Sequence, residues 1–348
     1  MHEDPALGIF LHAIGGLAAA SFYIPLKRIK NWGWETGWLV SGVAAWMIVP
    51  MLVAVLTVPH LMQVLSSMGT DDFVGTYTFG VLWGIGAVTF GLTMRYLGIA
   101  LGMAIALGNT AAFGTLIPPI VAGTFTDLFK STAGLTILSG VFLCLIGIVF
   151  CGLAGVRKEK DLGGDTKSGV LEEFDLKKGL VVGVTAGILS ACFAFGLSYG
   201  SDIAKISMEL GTESLWQNSA VLVVILWGGF TTNLLWCGYL NYKNKTLGDY
   251  TSTKGKLLPN YLFATLAGVI WYCQFMFYGN GSSFLPEKYK FASWTLHMAF
   301  IIFFSNIWGI YLHEWKGVSS RVYVYLGIGL SLVLASTIVI GIGNAIGG

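Results

Sequence analysis

The sequence predicts an all-α integral membrane protein with ten transmembrane helices. Hydrophobic residues make up 55% of its 348 residues and charged residues only 11%, and the mean hydropathy is +0.73. A soluble domain would carry about 25% charged residues. The apolar stretches are continuous and rich in leucine, isoleucine, alanine and glycine. A transmembrane β-barrel would instead need alternating segments of about 10 residues.

Ten apolar stretches contain no aspartate, glutamate, lysine or arginine. Each can hold the roughly 20 residues that cross a hydrocarbon core about 30 Å thick. In chain order they cover residues 5–26, 36–70, 73–94, 96–126, 131–156, 179–201, 214–242, 257–286, 291–313 and 322–348. In the second stretch, Pro50 cannot donate a hydrogen bond to the carbonyl group of Trp46, which predicts a kink there.

The basic residues predict the orientation of these helices. Of the 20 lysine and arginine residues, 16 fall in the loops after predicted helices 1, 3, 5, 7 and 9. Because lysine and arginine accumulate on the cytoplasmic side of membrane proteins, we expect these loops to be cytoplasmic. Both chain termini are then expected to be periplasmic.

The longest charged stretch, residues 157–178, separates the fifth predicted helix from the sixth. Its charge is typical of a solvated segment, so we predict a cytoplasmic linker. Five helices on each side is an odd number, so two halves of similar fold would be inserted with opposite orientations, as in transporters built from inverted repeats. We therefore expect a first repeat at 1–156 and an inverted second repeat at 179–348.

Polar and aromatic side chains inside the predicted spans are the candidates for a functional site. The candidates are His12, Trp83, Asn109, Trp271, Gln274 and His297. An amide could instead join two helices, an imidazole could be structural, and a tryptophan could belong to the interfacial belt. Among these residue types only histidine titrates near neutral pH, so His12 and His297 are also candidates for proton coupling.

Arg95 is the only fully charged residue between Asp72 and Asp127, where the third predicted helix ends. A guanidinium group in the hydrocarbon would cost about 3 kcal/mol or more, so Arg95 marks either a membrane interface or a site. Its long side chain could reach the interface by snorkelling. The alternative is an inner-gate ion pair with Glu35, which precedes the second predicted helix on the same side. Glu35 is also a third candidate for proton coupling.

The sequence lacks the motifs of several function classes. It has no Walker A loop, no HExxH or GxSxG motif, and no cysteine and histidine spacing typical of a metal site. These observations argue against an ATPase and a metalloprotease, and no repeated pore loop suggests a channel. We therefore expect a secondary carrier of a small uncharged substrate, in a lipid bilayer. We expect no enzyme activity, metal, organic cofactor, nucleic acid or protein partner.

Several segments resemble the L-rhamnose–proton symporter family of the drug/metabolite transporter superfamily. The resemblance spans essentially the whole chain, and its most specific element is GLTMRYLG at 91–98, followed by a glycine-rich helix. The segments WYCQFMFYG at 271–279 and SWTLHMAF at 293–300 follow in the family's order. The resemblance implies ten helices in two inverted repeats and a central cavity lined mainly by helices 1, 3, 4, 6, 8 and 9.

The resemblance also implies proton-driven uptake of L-rhamnose, or a closely related deoxy-sugar, across a bacterial inner membrane by alternating access. The proton gradient would supply the energy. The predicted substrate-binding residues are Trp83, Asn109, Trp271, Gln274 and His297. The predicted proton-coupling residues are His297, His12 and Glu35, in order of preference. The alternatives are a facilitator or exporter of another small metabolite and, more distantly, a membrane sensor without transport.

Overall fold

The computed structural model describes residues 4–97, 99–161, 175–251, 256–313 and 315–347. All regular secondary structure in these ranges is helical, which confirms the predicted all-α class. The α-helices are α1 (Pro5–Ser21), α2 (Tyr23–Leu26), α3 (Trp34–Val43), α4 (Val49–Thr57), α5 (Leu61–Ser67), α6 (Thr70–Leu97), α7 (Ile99–Val121), α8 (Phe125–Leu128), α9 (Thr132–Asp161), α10 (Leu176–Tyr199), α11 (Ser201–Glu209), α12 (Ser219–Asn244), α13 (Leu257–Ser283), α14 (Ser293–Tyr311) and α15 (Ser320–Gly347). A π-helix forms at Ala44–Ile48, and 3₁₀ helices form at Ser214–Trp216, Leu247–Tyr250 and Glu287–Ala292.

Within the described ranges, nine helical segments are long and apolar enough to cross a membrane. They cover Pro5–Leu26, Trp34–Thr57, Thr70–Phe90, Thr132–Lys158, Lys177–Glu209, Ser214–Asn244, Leu257–Ser283, Glu287–Tyr311 and Ser320–Gly347. Each corresponds to one predicted stretch. The fourth predicted stretch is matched by a shorter apolar helix, Ile105–Val121.

The second predicted stretch is more irregular than a single helix. The predicted interruption before Pro50 takes the form of the π-helix Ala44–Ile48, which joins α3 to α4. A proline removes one backbone donor, and a π-helical turn accommodates the changed hydrogen-bond register. The span ends at Val58, which is extended because a proline follows it. The remaining apolar residues form the separate short helix α5.

Packing divides the chain into two compact units. The first unit comprises Met1–Leu17, Ile85–Ala194 and Phe284–Gly348, and the second comprises Ala18–Gly84 and Phe195–Ser283. Each unit draws on both halves of the sequence. These units are defined by contacts, whereas the predicted repeats at 1–156 and 179–348 are defined by internal symmetry, so the repeats stay a prediction. Most of the predicted linker 157–178 lies outside the described residues.

In the first unit, α9 and α15 pack so closely that their backbones are in contact. The contact surface, here called the glycine seam, includes Gly140, Gly147, Gly329 and Gly343. A Cβ atom on Gly147 would lie only 2.7 Å from Cγ2 of Val333 and 3.0 Å from the carbonyl oxygen of Gly329. Small residues at such positions allow close van der Waals packing, which drives helix association where lipid removes the hydrophobic effect.

In the second unit, α12 packs in the same way against the first half of α6. A Cβ atom on Gly228 would lie 2.8 Å from the backbone nitrogen of Val81, and one on Gly84 would lie 2.8 Å from Cβ of Thr232. The Thr232 hydroxyl also donates a hydrogen bond to the carbonyl oxygen of Val81, at 3.1 Å. This contact fixes the part of α6 that carries Trp83.

The glycine seam predicts which glycines of α15 tolerate a methyl group. We expect Gly329→Ala to lower the thermal unfolding midpoint of the detergent-purified protein, because its Cβ would lie 2.8 Å from the backbone nitrogen of Cys151. Overpacking of this kind typically costs about 1 to 3 kcal/mol. Gly327→Ala is the matched control, since its Cβ meets nothing within 4 Å. Equal thermal unfolding midpoints for the two variants would contradict the close packing of α9 against α15 at the glycine seam.

Candidate functional site

The residues predicted from the sequence fall into two groups, one in each unit. The first unit contains His12, Asn109 and His297, and the second contains Glu35, Trp83, Trp271 and Gln274. The side chain of Arg95 lies outside those that the structure describes.

The two histidines meet in the first unit. His12 of α1 and His297 of α14 are 0% and 2% exposed, and their ring centroids are 6.1 Å apart. Gly16, one turn beyond His12, brings the helices together, because a Cβ there would lie 2.8 Å from the backbone carbon of Phe300. Although the sequence identifies each histidine separately, the structure joins them into one histidine pair.

Hydrogen bonds hold α14 in a fixed rotation beside α7. The indole nitrogen of Trp294 donates to the carbonyl oxygen of Thr110 at 2.9 Å, and the hydroxyls of Thr115 and Thr295 are 2.5 Å apart. The Trp294 ring lies 6.4 Å from the ring of His297. In an apolar environment these bonds orient the helix, so the imidazole of His297 is positioned before any ligand binds.

Charges on the two members of the histidine pair would interact strongly. Histidine is the side chain that changes charge near neutral pH. Two positive charges about 6 Å apart would repel each other by about 3 kcal/mol at an effective dielectric constant near 20. The pair therefore behaves as one coupled unit rather than as two independent sites.

Asn109 has different neighbours. Its amide nitrogen donates to the carbonyl oxygen of Ile105 on its own helix, at 2.7 Å. Its backbone and Cβ pack closely against Gly187 of α10. Asn109 also lines an apolar groove of about 340 Å³ between α7 and α9, together with Leu145 and Ile148. Sugar binding by Asn109 stays a prediction.

A cluster of aromatic rings occupies the second unit, with Trp46 of the π-helix at its centre. The Trp46 ring lies 5.5 Å from Trp83 of α6 and 4.9 Å from Trp271 of α13. Phe22 stacks on the other side of Trp271 at 4.6 Å, with an angle of 18° between the rings. The aromatic cluster consists of Phe22, Trp38, Trp46, Trp83, Trp271 and Phe275.

Gln274 lies on α13 within this cluster. It follows Trp271 by three residues, so the two side chains share a helix face, and it directly precedes Phe275. Its side chain is buried. The structure thus brings three predicted site residues, Trp83, Trp271 and Gln274, to one region of the second unit.

Neither Trp46 nor Asn233 is among the site residues predicted from the sequence. Both are buried, and Asn233 reaches the same region from α12. The signal that could have identified Trp46 is Pro50, four residues later, because a π-helical turn in a membrane span is often found at a functional site.

Glu35 is buried at the start of α3 and is bound by neutral donors. The amide nitrogen of Asn244 and the hydroxyl of Thr246 both donate to its Oε1 atom, at 3.1 and 2.7 Å. The predicted inner-gate pair with Arg95 stays a prediction, since the Arg95 side chain is outside the described residues.

A wider polar network surrounds this carboxylate. The hydroxyl of Thr36 donates to Oδ1 of Asn241 and to Oδ2 of Asp249, each at 3.1 Å. The backbone N–H of Gly33 donates to the same Asp249 oxygen at 2.6 Å, and the Thr246 hydroxyl donates to Asn241 at 3.0 Å. These bonds tie the start of α3 to the end of α12 and the segment that follows it.

Comparison with known proteins relates nearly the whole chain to one protein family. The family model described as L-rhamnose-proton symport protein (RhaT) matches residues 1–346. An L-rhamnose-proton symporter of Mannheimia succiniciproducens is 38% identical over 342 residues, which cover 97% of this chain and 98% of the relative. An L-rhamnose-proton symporter of Yersinia pestis is 38% identical over 348 residues, which cover 99% of this chain and 100% of the relative.

The Glu35 network predicts a difference between two substitutions. Glu35→Ala removes the acceptor of the part-buried hydrogen bonds from Asn244 and Thr246, so we expect a loss of about 0.5 to 1.5 kcal/mol in stability. Glu35→Gln retains an oxygen acceptor and should lose less. Thermal unfolding of the detergent-purified variants would measure the difference. Equal unfolding temperatures for the two variants would show that the carboxylate oxygen does not organise this end of α3.

Proposed function

The chain belongs to the L-rhamnose-proton symport protein family, and from this membership we propose that it carries L-rhamnose into the bacterial cell together with a proton. The observation that carries the proposal is the match to curated symporters at 38% identity over nearly the full length of both chains. The family is one of transporters rather than of enzymes.

The transport cycle that we propose is alternating access. Ten helices in two inverted repeats, 1–156 and 179–348, would rock around a midplane cavity in the inner membrane. The linker 157–178 would be cytoplasmic and both termini periplasmic, as the distribution of basic residues favours. The proton gradient drives the cycle, and no further cofactor takes part.

The aromatic cluster is where we propose that the sugar binds. A deoxy-hexose presents hydroxyl groups along its edge and an apolar C–H face, so its site should combine amides with aromatic planes. Gln274 supplies an amide between Trp271 and Phe275, and Trp83 supplies a second indole plane across Trp46. Asn109 and His297, the two remaining residues predicted to contact the sugar, belong to the first unit.

The histidine pair is where we propose that the proton binds, with His297 as the principal site and His12 as its partner. Both rings are buried in the membrane-spanning part of the first unit, and no other residue type on either helix there titrates near neutral pH. Binding linkage is reciprocal, so a proton that tightens sugar binding is itself bound more tightly when sugar is present, by the same factor.

Addition of L-rhamnose to weakly buffered cells that express the protein should raise the external pH, because each sugar carries a proton inward. A protonophore should abolish the rise, and cells without the protein should show none. Counterflow of labelled rhamnose without any pH change would instead indicate a facilitator. Absence of both signals would overturn rhamnose transport.

Substitution of His297 should separate sugar movement from proton coupling. Glutamine keeps hydrogen-bonding capacity but cannot titrate, so His297→Gln should still exchange rhamnose down its gradient and fail to concentrate it. His60→Gln, at an exposed histidine, is the control and should accumulate sugar normally. If a His12→Gln, His297→Gln double variant concentrates rhamnose with normal pH dependence, the proton must bind elsewhere, and Glu35 becomes the next candidate.

A further inference from the structure

The π-helix in the second unit places one tryptophan, Trp46, in contact with the rings of two other tryptophans. Trp46 is 1% exposed, and it makes edge contacts with the rings of Trp83 and Trp271 at 5.5 and 4.9 Å. A π-helical turn widens the backbone hydrogen-bond loop and rotates the side chains that follow it, and such turns in α-helices are frequently found at functional sites. The π-helical backbone therefore sets the position of the Trp46 indole.

Three buried polar atoms in this part of the second unit make no hydrogen bond among the described residues. They are Oγ of Ser41, Nε1 of Trp46 and Nδ2 of Asn233. All three side chains are at least nine-tenths buried. More than about 90% of buried polar groups in proteins have a partner, so several unsatisfied ones in neighbouring residues require an explanation.

The three residues that carry these atoms are neighbours around Gly42. A Cβ atom on Gly42 would meet the amide nitrogen of Asn233, and it would lie 3.4 Å from Cε3 of Trp46. The carbonyl oxygen of Asn233 accepts from the thiol of Cys237 at 3.4 Å, which leaves its amide nitrogen as the remaining donor. Ser41 directly precedes Gly42 on α3. The indole ring and the amide nitrogen thus lie beside the same glycine.

The chemistry of the set defines its ligand. An indole N–H and an amide N–H can only donate, and a serine hydroxyl can donate or accept. The ligand must therefore offer several acceptor oxygens. All three groups are neutral, which suits an uncharged molecule, and the surrounding rings suit an apolar face. A sugar with ring hydroxyls and exposed C–H bonds meets each requirement.

We propose that Trp46 and Asn233 contact the hydroxyl groups of the transported sugar directly, and that Ser41 contributes to the same site. This inference rests on the proposed function, since it assigns residues for the sugar that the family membership implies. It adds N–H donors to the aromatic planes that the predicted residues Trp83 and Trp271 supply. Trp46 and Asn233 would then determine which sugar is accepted.

The test compares matched substitutions in detergent-purified protein by titration calorimetry with L-rhamnose. Trp46→Phe keeps an aromatic ring and removes only the N–H donor, and Asn233→Ala removes the amide. Each should raise the Kd for rhamnose about tenfold, the usual effect of leaving a sugar hydroxyl without its partner. Trp315→Phe and Asn344→Ala are the controls, because they make the same changes at buried positions of the first unit and should leave Kd unchanged.

Monodeoxy analogues of L-rhamnose distinguish direct contact from a loss of structure. If Asn233 binds one hydroxyl, the analogue that lacks this hydroxyl should bind the wild type and Asn233→Ala equally well. Uniform weakening of every analogue would overturn direct contact, as would an unchanged Kd in both variants while the wild type binds rhamnose. Failure of the wild type to bind rhamnose would overturn the proposed function itself. If Trp46→Phe does not fold, Asn233→Ala carries the test alone.

Discussion

The hydrocarbon core offers no water, and this constraint governs the whole molecule. Every backbone N–H and C=O within it must be satisfied internally, which leaves the helix as the available structure. It also makes each buried polar side chain expensive, so such residues persist only where a partner or a function compensates. Glu35 is bound by two neutral donors. His12 and His297 lie beside each other.

The side chains proposed to bind the proton and those proposed to bind the sugar fall in different units. Titratable imidazoles are grouped in the first unit, and indoles with amides are grouped in the second. The chain itself connects them. The first membrane span, Pro5–Leu26, carries His12 in the first unit, and ten residues later it carries Phe22, which stacks on Trp271 in the second. One span thus carries a residue of the proposed proton site and a residue of the aromatic cluster.

Local sequence signals predict where the helical spans lie, but they do not predict which site residues meet in the fold. Charge-free stretches identified the spans because hydrophobicity is a property of each segment alone, and Pro50 revealed the interruption of α3 because a missing donor acts within one turn. His12 and His297 were visible as polar residues in apolar helices. Their pairing was not, because it depends on which of many helices meet. Pro50 draws attention to Trp46, four residues earlier, but only its ring neighbours show that this tryptophan lies in an aromatic cluster rather than in an interfacial belt.

The composition of the first unit has a consequence for biosynthesis. It joins the start of the chain to Phe284–Gly348, so it cannot close until most of the protein has been translated. At about 5 to 20 residues per second, His12 would wait roughly 15 to 60 s for His297 to leave the ribosome. During that interval α9 lacks α15, and its glycines face lipid or the insertion machinery. Assembly of this unit is thus a late, high-contact-order event, and a chain shortened at its C-terminal helix would insert its early spans without ever completing the unit.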